Sequence, residues 1–459
     1  MGLACPRTLY SNPLEEVRVM AHKALDRWVD GLAPFFGKVD PPKLTEISEH
    51  FMKTRKDLLG ACMSSFIEEL FGPYLEQEWA QCPRCGKKLH QKRLNKRDLS
   101  TFQGEFAIMR PYFYCADCTY GFHPLDEVLG LAPEHHQYDI QKKTTMLAAD
   151  LPFDRSAFHF GELTGIEVGN HFIHETLNAV GEAATLDLVI PDRKEIERRI
   201  DEAMDTSGEP PVLVVASDGA HMPTRPKAAR KKKRGKGQYK EAKGFRLYLL
   251  GPDERIIHVA SWHQIEQFGQ FAEDLAQVAQ RIPKDKVRIA LLGDGAEWLW
   301  KAMAQNFPEG CQVLDYYHCS EHVYTVADAQ YGASLEGHQW AESVLARLSL
   351  DMASSVIAGL RRMKPITPLA KEEIEKLIGY LQHHRDRFHY RARKKEGMPI
   401  GSGGIESANK FICHTRLKRP GAWWLKENGN TMLRVRCAIY NGTFERVFQH
   451  YIEQKQRLK

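Results

Sequence analysis

Apolar residues recur at helical spacing through the first part of the chain and later condense into short β-branched runs, so the period of the pattern divides the sequence. Leu14 to Leu32 and Pro42 to Leu75 carry apolar side chains every three or four positions, as at Leu58, Leu59, Cys62, Met63 and Phe66, which predicts an α-helical lead-in. Strand-like sequence follows at Phe106 to Met109 and Pro111 to Tyr114. Phe153 to Leu163, a turn at Thr164-Gly165-Ile166-Glu167-Val168, and Gly169 to Val180 read as helix, glycine-containing turn and helix, and Asp192 to Ser207 as a charged helix and linker. From Pro211 the pattern predicts strands at 212–218, 245–250 and 255–262, a helix over 264–281, a strand at 287–293, a helix at 296–306 and a strand at 311–317. After Asp315-Tyr-Tyr-His318 the strand pattern stops. Ser320 to Lys395 is helical throughout, with one apolar set at Val344, Leu348, Leu350 and Ile357 and another at Ile374, Leu377, Ile378 and Leu381.

Three meandering strands followed by alternating helix and strand is the ribonuclease-H-like arrangement, in which one acid sits on the first strand and another just after the fourth. The expected fold class is therefore α/β: a ribonuclease-H-like mixed sheet with an all-helical insertion at 320–395, preceded by a zinc ribbon and helical DNA-binding segments. The expected divisions are a helical region at 1–78, the ribbon at 79–130, a helix-turn-helix-like region and linker at 131–207, and the catalytic domain at 208–459.

The apolar runs Val212 to Ser217 and Val287 to Leu292 end in Asp218 and Asp294, at the carboxyl ends of strands, where open α/β sheets build their sites. Glu406 follows Gly-Ser-Gly-Gly-Ile and falls in the first turn of a helix, where the dipole favours a carboxylate. Singly, each has a plainer reading, since Asp-Gly is a turn dipeptide and a first-turn Glu a dipole partner. Together on this topology they make a hard oxygen cage for Mg²⁺ or Mn²⁺, or for two ions about 3.5–4 Å apart. Without metal such carboxylates repel, and one is expected to hold a proton at raised pKa. Glu297, Asp315 and Glu427 are rival acids. Accessory roles are open for Asp315 and His318: orienting a phosphate or carboxylate, or only capping.

Cys82-x-x-Cys85 and, after 29 residues, Cys115-x-x-Cys118 match a four-thiolate structural Zn²⁺ site. A pair of disulfides and redox thiols are the alternatives. The remaining cysteines, Cys5, Cys62, Cys311, Cys319, Cys413 and Cys437, are scattered.

With 459 residues, 43% hydrophobic and 27% charged, the chain is long enough for about three domains. No apolar run approaches the roughly 20 residues of a membrane span, and the first residues lack the pattern of a signal peptide, so a cytoplasmic address without membrane is expected. Net charge is only +5, but ten basic residues fall between Arg225 and Lys243 against the single Glu241. Lys231, Lys232, Lys233 and Arg234 form their centre. Such a loop binds phosphate with counterion release, or is simply solvated. Arg416, Lys418, Arg419, Trp423, Trp424 and Lys426 form a second basic stretch, whose indoles either stack bases or pack in the core. Asn170, His171, His174 and Asn178 are candidate base readers on the second helix of the helix-turn-helix outline.

From Cys82 onward the chain resembles a bacterial insertion-sequence transposase of the DDE class, nearest the ISKra-type group and more distantly the Mutator-like transposases. The matching features are the two cysteine pairs, Ala-Ser-Asp218-Gly, Gly-Asp294-Gly, Asp315-x-x-His318 and Gly-Ser-Gly-x-Ile-Glu406-Ser, followed by Arg416-Leu-Lys-Arg-Pro-Gly-Ala-Trp-Trp. The resemblance implies that Asp218, Asp294 and Glu406 are catalytic and hold Mg²⁺. It implies cleavage of transposon ends and joining of the 3′ hydroxyl to target DNA, with double-stranded DNA as partner, a homo-oligomer on that DNA, and a nucleoid location when bound. A ribonuclease-H-like nuclease without strand transfer, or a derivative that only binds DNA, are the competing functions.

Overall fold

The computed structural model describes residues 13–37, 40–204, 209–227, 236–251 and 255–457. Lys231, Lys232, Lys233 and Arg234 lie outside the described residues. The chain divides into two units, Met1–Leu177 with Phe448–Lys459, and Asn178–Val447.

In the first unit the helical periodicity of the lead-in becomes the helices Pro13–Gly31 and Leu44–Leu70. The second starts where Glu46 accepts the Lys43 backbone N–H at 2.8 Å. Two short strands, β1 (Trp79–Gln81) and β2 (Lys88–His90), pair antiparallel. They precede a three-stranded antiparallel sheet of β3 (Arg93–Thr101), β4 (Gly104–Cys115) and β5 (Tyr120–Phe122), in that spatial order. The two strand segments expected around Pro111 are one strand, in which Pro111 opposes Leu94. Ile67, Leu99, Ile108, Leu125 and Leu131 form the core between the long helix and this sheet, each contributing about 1.5–3 kcal/mol by leaving water. Helices Tyr138–Asp150 and Phe153–Thr164 follow, and the latter closes on Gly165 in the left-handed region (φ 73°).

The second unit is built on a five-stranded mixed sheet. Its strands are β6 (Val212–Thr224), β7 (Gln238–Leu250), β8 (Ile256–Gln264), β9 (Arg288–Gly293) and β10 (Cys311–Leu314), in the spatial order β10-β9-β6-β7-β8. β7 runs antiparallel to both β6 and β8, whereas β6, β9 and β10 are parallel. The central strands are buried on both faces, which explains why Val212 to Ser217 and Val287 to Leu292 read as nearly unbroken apolar runs. Helices Phe268–Ala279 and Glu297–Asn306 form the crossovers, and Lys426–Asn441 packs against β8. Buried Asn441 completes that contact: its amide donates to Val189 O and Ser261 O at 3.0 Å each, and its oxygen accepts Ser261 N–H at 2.8 Å.

Three elements differ from the sequence reading. β6 and β7 extend well beyond the expected 212–218 and 245–250, pairing continuously from Asp218↔Gly244 to Thr224↔Gln238. This stretch is polar and contains Pro223, so only its partner strand reveals it as a strand. The helix Arg193–Ala203 belongs to the second unit instead of acting as a linker, because Ile196, Ile200 and Ala203 bury one face and Arg199 donates to the carbonyls of His258 and Val259. Finally, Asp315 does not end a strand: β10 stops at Leu314, and Asp315 caps the helix Tyr316–Tyr331. The helices Leu335–Ser349, Ala353–Arg362, Pro368–His383 and Tyr390–Lys395 continue the helical stretch. Among the described residues no helix is long and apolar enough to cross a membrane.

Candidate metal and nucleic-acid sites

Parallel pairing of β6 with β9 runs from Val212↔Arg288 to Ala216↔Leu292, so the next two positions bring Asp218 and Asp294 level at the carboxyl ends of neighbouring strands. Both are half-buried. Asp218 Oδ1 accepts the Gly219 N–H at 2.7 Å, and Asp294 Oδ1 accepts the Ala296 N–H at 3.0 Å. Gly295, with φ 111°, supplies the backbone that an L side chain resists, which lets the loop leave β9 directly after Asp294. Glu406 comes from the helix Gly403–Ala408, which packs on β6 and β7, and its side chain is exposed. Burial first, then the charges of Asp294 and Glu406, push the Asp218 carboxyl up to about 6, against the pull of the Gly219 N–H and the Asn409 amide. Among the described residues, no lysine or arginine ion pair neutralises any of the three.

Asp315 ties the turn that carries Glu406. Its Oδ1 accepts the N–H groups of Tyr317 and Ser402, both at 3.1 Å, and its Oδ2 lies 2.6 Å from the Ser402 hydroxyl. The same hydroxyl lies 2.8 Å from Glu406 Oε1. One hydroxyl proton serves one acceptor at a time, so the Ser402 hydroxyl donates to Asp315 or to Glu406, while the Ser402 N–H ties the turn to Asp315 in either case. His318 sits 3.5 Å from Glu321 and stacks edge-on with His322, which in turn packs on Tyr380. The Tyr380 hydroxyl reaches the Asp294 carbonyl at 3.4 Å, and the His318 backbone N–H donates to Asp315 Oδ2 at 3.4 Å; among the described residues the His318 imidazole itself bonds to none of Asp218, Asp294 and Glu406.

The second basic stretch separates into two roles. Arg416 is buried with its guanidinium 5.0 Å from the Trp424 ring centroid, and Trp424 itself is buried, donating its indole N–H to Leu417 O at 3.2 Å. Trp424 also joins the β6 edge through Pro223 O and the Arg225 N–H. These two residues pack the fold. Trp423 is 42% exposed beside Tyr239, which is 66% exposed, with ring centroids 5.8 Å apart. Lys418 is exposed and Arg419 half-buried. A cavity of about 290 Å³ nearby is lined by Arg225, Lys227, Lys240 and Lys426, with Glu427 as its acid.

On the helix Asn170–Ala183, His171 faces Glu175 and His174 packs edge-on against Phe153. Asn178 accepts the Thr431 hydroxyl at 2.6 Å. The exposed positions carry Asn170, His171, Glu175 and Glu182, a surface with two acids and no lysine or arginine, poor for a phosphate backbone.

In the first unit, Cys82 and Cys85 occupy the β1–β2 turn, Cys115 ends β4, and Cys118 lies in the turn to β5. Their four sulfurs lie within 4.8 Å of one another, and Cys85 Sγ is 3.7 Å from Cys115 Sγ. These sulfurs do not ionise independently. Burial opposes ionisation of Cys82, but the backbone of Arg84 and Cys85 and the neighbouring thiols bring it down to about 7, while hydrogen bonding from Cys85 and burial push Cys118 up to about 12. A cluster of this kind could hold a metal ion.

Residues 42–455 match the model of an uncharacterised protein family, UPF0236. The chain belongs to the UPF0236 family. A Streptococcus gallolyticus protein described as "UPF0236 protein in vanSb 3'region" is 23% identical over 403 residues, spanning 85% of this chain and 80% of that protein. The region matched to UPF0236 contains both the cysteine quartet and the three acids.

Three residues in this UPF0236 chain escaped the sequence reading: Ser402 and Asn409 beside the acids, and Tyr239 beside Trp423. Ser402 lies within the Gly-Ser-Gly turn and could have been flagged as a cap. Nothing local distinguishes Tyr239, or Asn409, whose amide donates to Asp218 Oδ2 at 2.7 Å.

Proposed function

We propose that the chain is a DDE-class DNA transposase acting in the cytoplasm. In this reading Asp218, Asp294 and Glu406 are its catalytic carboxylates on a ribonuclease-H-like sheet, and transposon ends and a target duplex are its substrates. One observation carries the reading: where two adjacent parallel strands end and a glycine-rich turn begins a helix lie three acids that have no basic ion-pair partner among the described residues, near enough for the charges of Asp294 and Glu406 to raise Asp218. The strand order β10-β9-β6-β7-β8 supports it, because a three-stranded meander extended by parallel strands is the order expected for that fold. Hard oxygen donors of this kind suit Mg²⁺ or Mn²⁺ better than a soft metal. Asp218, Asp294 and Glu406 would hold the ions, and divalent cations bound there supply charge stabilisation to the attacking and leaving oxygens of an in-line displacement.

The chain's other residues position DNA. Lys227, Lys240 and Lys426 line one cavity and would follow a phosphate backbone, joined by the exposed Lys418, while the rings of the exposed Trp423 and Tyr239 would stack an unpaired base. Lys231, Lys232, Lys233 and Arg234 add four cations between β6 and β7 in the sequence. Cys82, Cys85, Cys115 and Cys118 suit a structural Zn²⁺ in a zinc ribbon, since four thiolates leave no open coordination position. Joining two ends in one reaction calls for at least two copies of the chain.

The test supplies the protein with Mg²⁺, a target duplex and a duplex carrying a boundary of the element that encodes the chain, pre-cut to expose a 3′ hydroxyl. Joined product is expected, and Glu406→Gln should abolish it. Cleavage without joining would favour the nuclease, and DNA binding with no metal-dependent chemistry would favour the binding-only derivative.

A further inference from the structure

Asp218, Gly244 and His263 form one row across three strands, because Asp218 pairs with Gly244 and Gly244 with His263. Directly paired residues on antiparallel strands present their side chains to the same face. The middle position of the row carries no side chain. A Cβ at Gly244 would lie 2.1 Å from His263 Cδ2 and 2.4 Å from Nε2, so the imidazole lies across the strand in the space that any other residue would fill. From there Nε2 reaches Asn409 Oδ1 at 2.9 Å, and Asn409 Nδ2 donates to Asp218 Oδ2 at 2.7 Å.

The protonation pattern follows from this network. A carboxylate must accept, so the Asn409 nitrogen faces Asp218 and its oxygen faces His263, which therefore carries its proton on Nε2. Among the described residues His263 Nδ1 has no hydrogen-bond partner, as suits the unprotonated nitrogen of a neutral ring. The ring is fully buried, and burial holds it down to about 4.

Asn409 also opens a π-helical segment, Asn409–His414, directly after the helix that bears Glu406. The buried Arg436 guanidinium donates to the carbonyls of Phe411 and Ile412 in that segment. Single-turn π segments concentrate at functional sites. Here the segment places a neutral donor three residues from one acid and against another.

We propose that Asn409, oriented by His263 across Gly244, is a positioning residue that fixes the Asp218 carboxylate for cation binding. This rests on the reading of the three acids as a divalent-cation site. A neutral amide suits the task, because a lysine there would compete with the cation for the same oxygens and an aspartate would add to the repulsion.

Mn²⁺ binding to the full chain, followed by electron paramagnetic resonance, tests both layers. Asn409→Ala should weaken Mn²⁺ binding about 10-fold or more, the scale on which partners that orient metal ligands act. In Mg²⁺-dependent cleavage it should raise the half-saturating Mg²⁺ concentration by the same factor and leave the rate at saturating Mg²⁺ within a few-fold, a split that general loss of structure would not produce. Asn409→Ala binding Mn²⁺ as tightly as wild type overturns the proposal. If that variant does not fold, Asn409→Gln, which keeps the amide but displaces it by one methylene, decides the matter by the same criterion. Asp218→Asn separates the layers. If it too binds Mn²⁺ normally, the cation-site reading fails; if it alone loses Mn²⁺, only the role of Asn409 fails.

Discussion

Four sulfurs of the first unit lie within 4.8 Å of one another, whereas the three carboxylates of the second unit arrive separately, from a strand, a loop and a helix, and feel one another mainly as charge. The thiols come from two tight turns whose spacing is local, and they surround a point. The acids come from distant parts of the chain, Asp218 and Asp294 half-buried and Glu406 exposed. A closed soft cluster builds structure, and an open hard one is left available for chemistry. The adjacent tryptophans repeat the contrast, since Trp424 packs the fold and Trp423 faces solvent.

The contrast breaks most visibly if the quartet is not structural. Cys115→Ser, or treatment with a strong chelator, should unfold the region around β1 to β5, read as new protease sensitivity between Cys82 and Cys118. A region that stays folded would remove the first half of the comparison. Asp218→Asn or Glu406→Gln should leave folding intact yet lower metal-dependent DNA cleavage at least about 100-fold, as expected when several kcal/mol of charge stabilisation is lost.

For the indoles, Trp424→Ala should cost about 3–5 kcal/mol in urea unfolding, the usual penalty for a buried tryptophan. Trp423→Ala should leave stability nearly unchanged and weaken binding of a single-stranded DNA end by about 1–3 kcal/mol. A smaller effect is expected from pH. The folded pKa of Asp218 is raised to about 6, so in metal-free protein its contribution to stability is fully present below the unfolded value near 4 and is lost as pH rises through 6. Asp218→Asn should therefore gain on wild type progressively between about pH 4 and pH 6, and metal should remove that gain; denaturant melts across this window measure it. The least change is expected from Lys418→Ala, which should lower the slope of log binding constant against log salt by about 1, while Arg416→Ala lowers stability instead.

The strands that carry Asp218 and Asp294 were legible because burial on both faces writes itself as apolar runs. The cysteine pairs were legible because metal-ligand spacing is local. The outer half of the β6–β7 hairpin was not, since its polar residues are strand only by virtue of the opposing strand. Asp315 was read as part of a strand at 311–317, yet its backbone partners make it a helix cap. Adjacent indoles give no sign of which one faces inward. Asn409 was least legible of all: its role depends on a register across three strands and on a π segment, neither of which leaves a mark in local composition.

The widened coil at Asn409–His414 also constrains how the gene can vary in length. A π turn takes about one residue more than an α turn to cover a similar rotation, so deleting a single codon there would let the segment relax to ordinary winding with little change in how the following helix faces Glu406. Loss of one residue just after Asn409 should therefore be tolerated better than loss of one from the regular helices beside it.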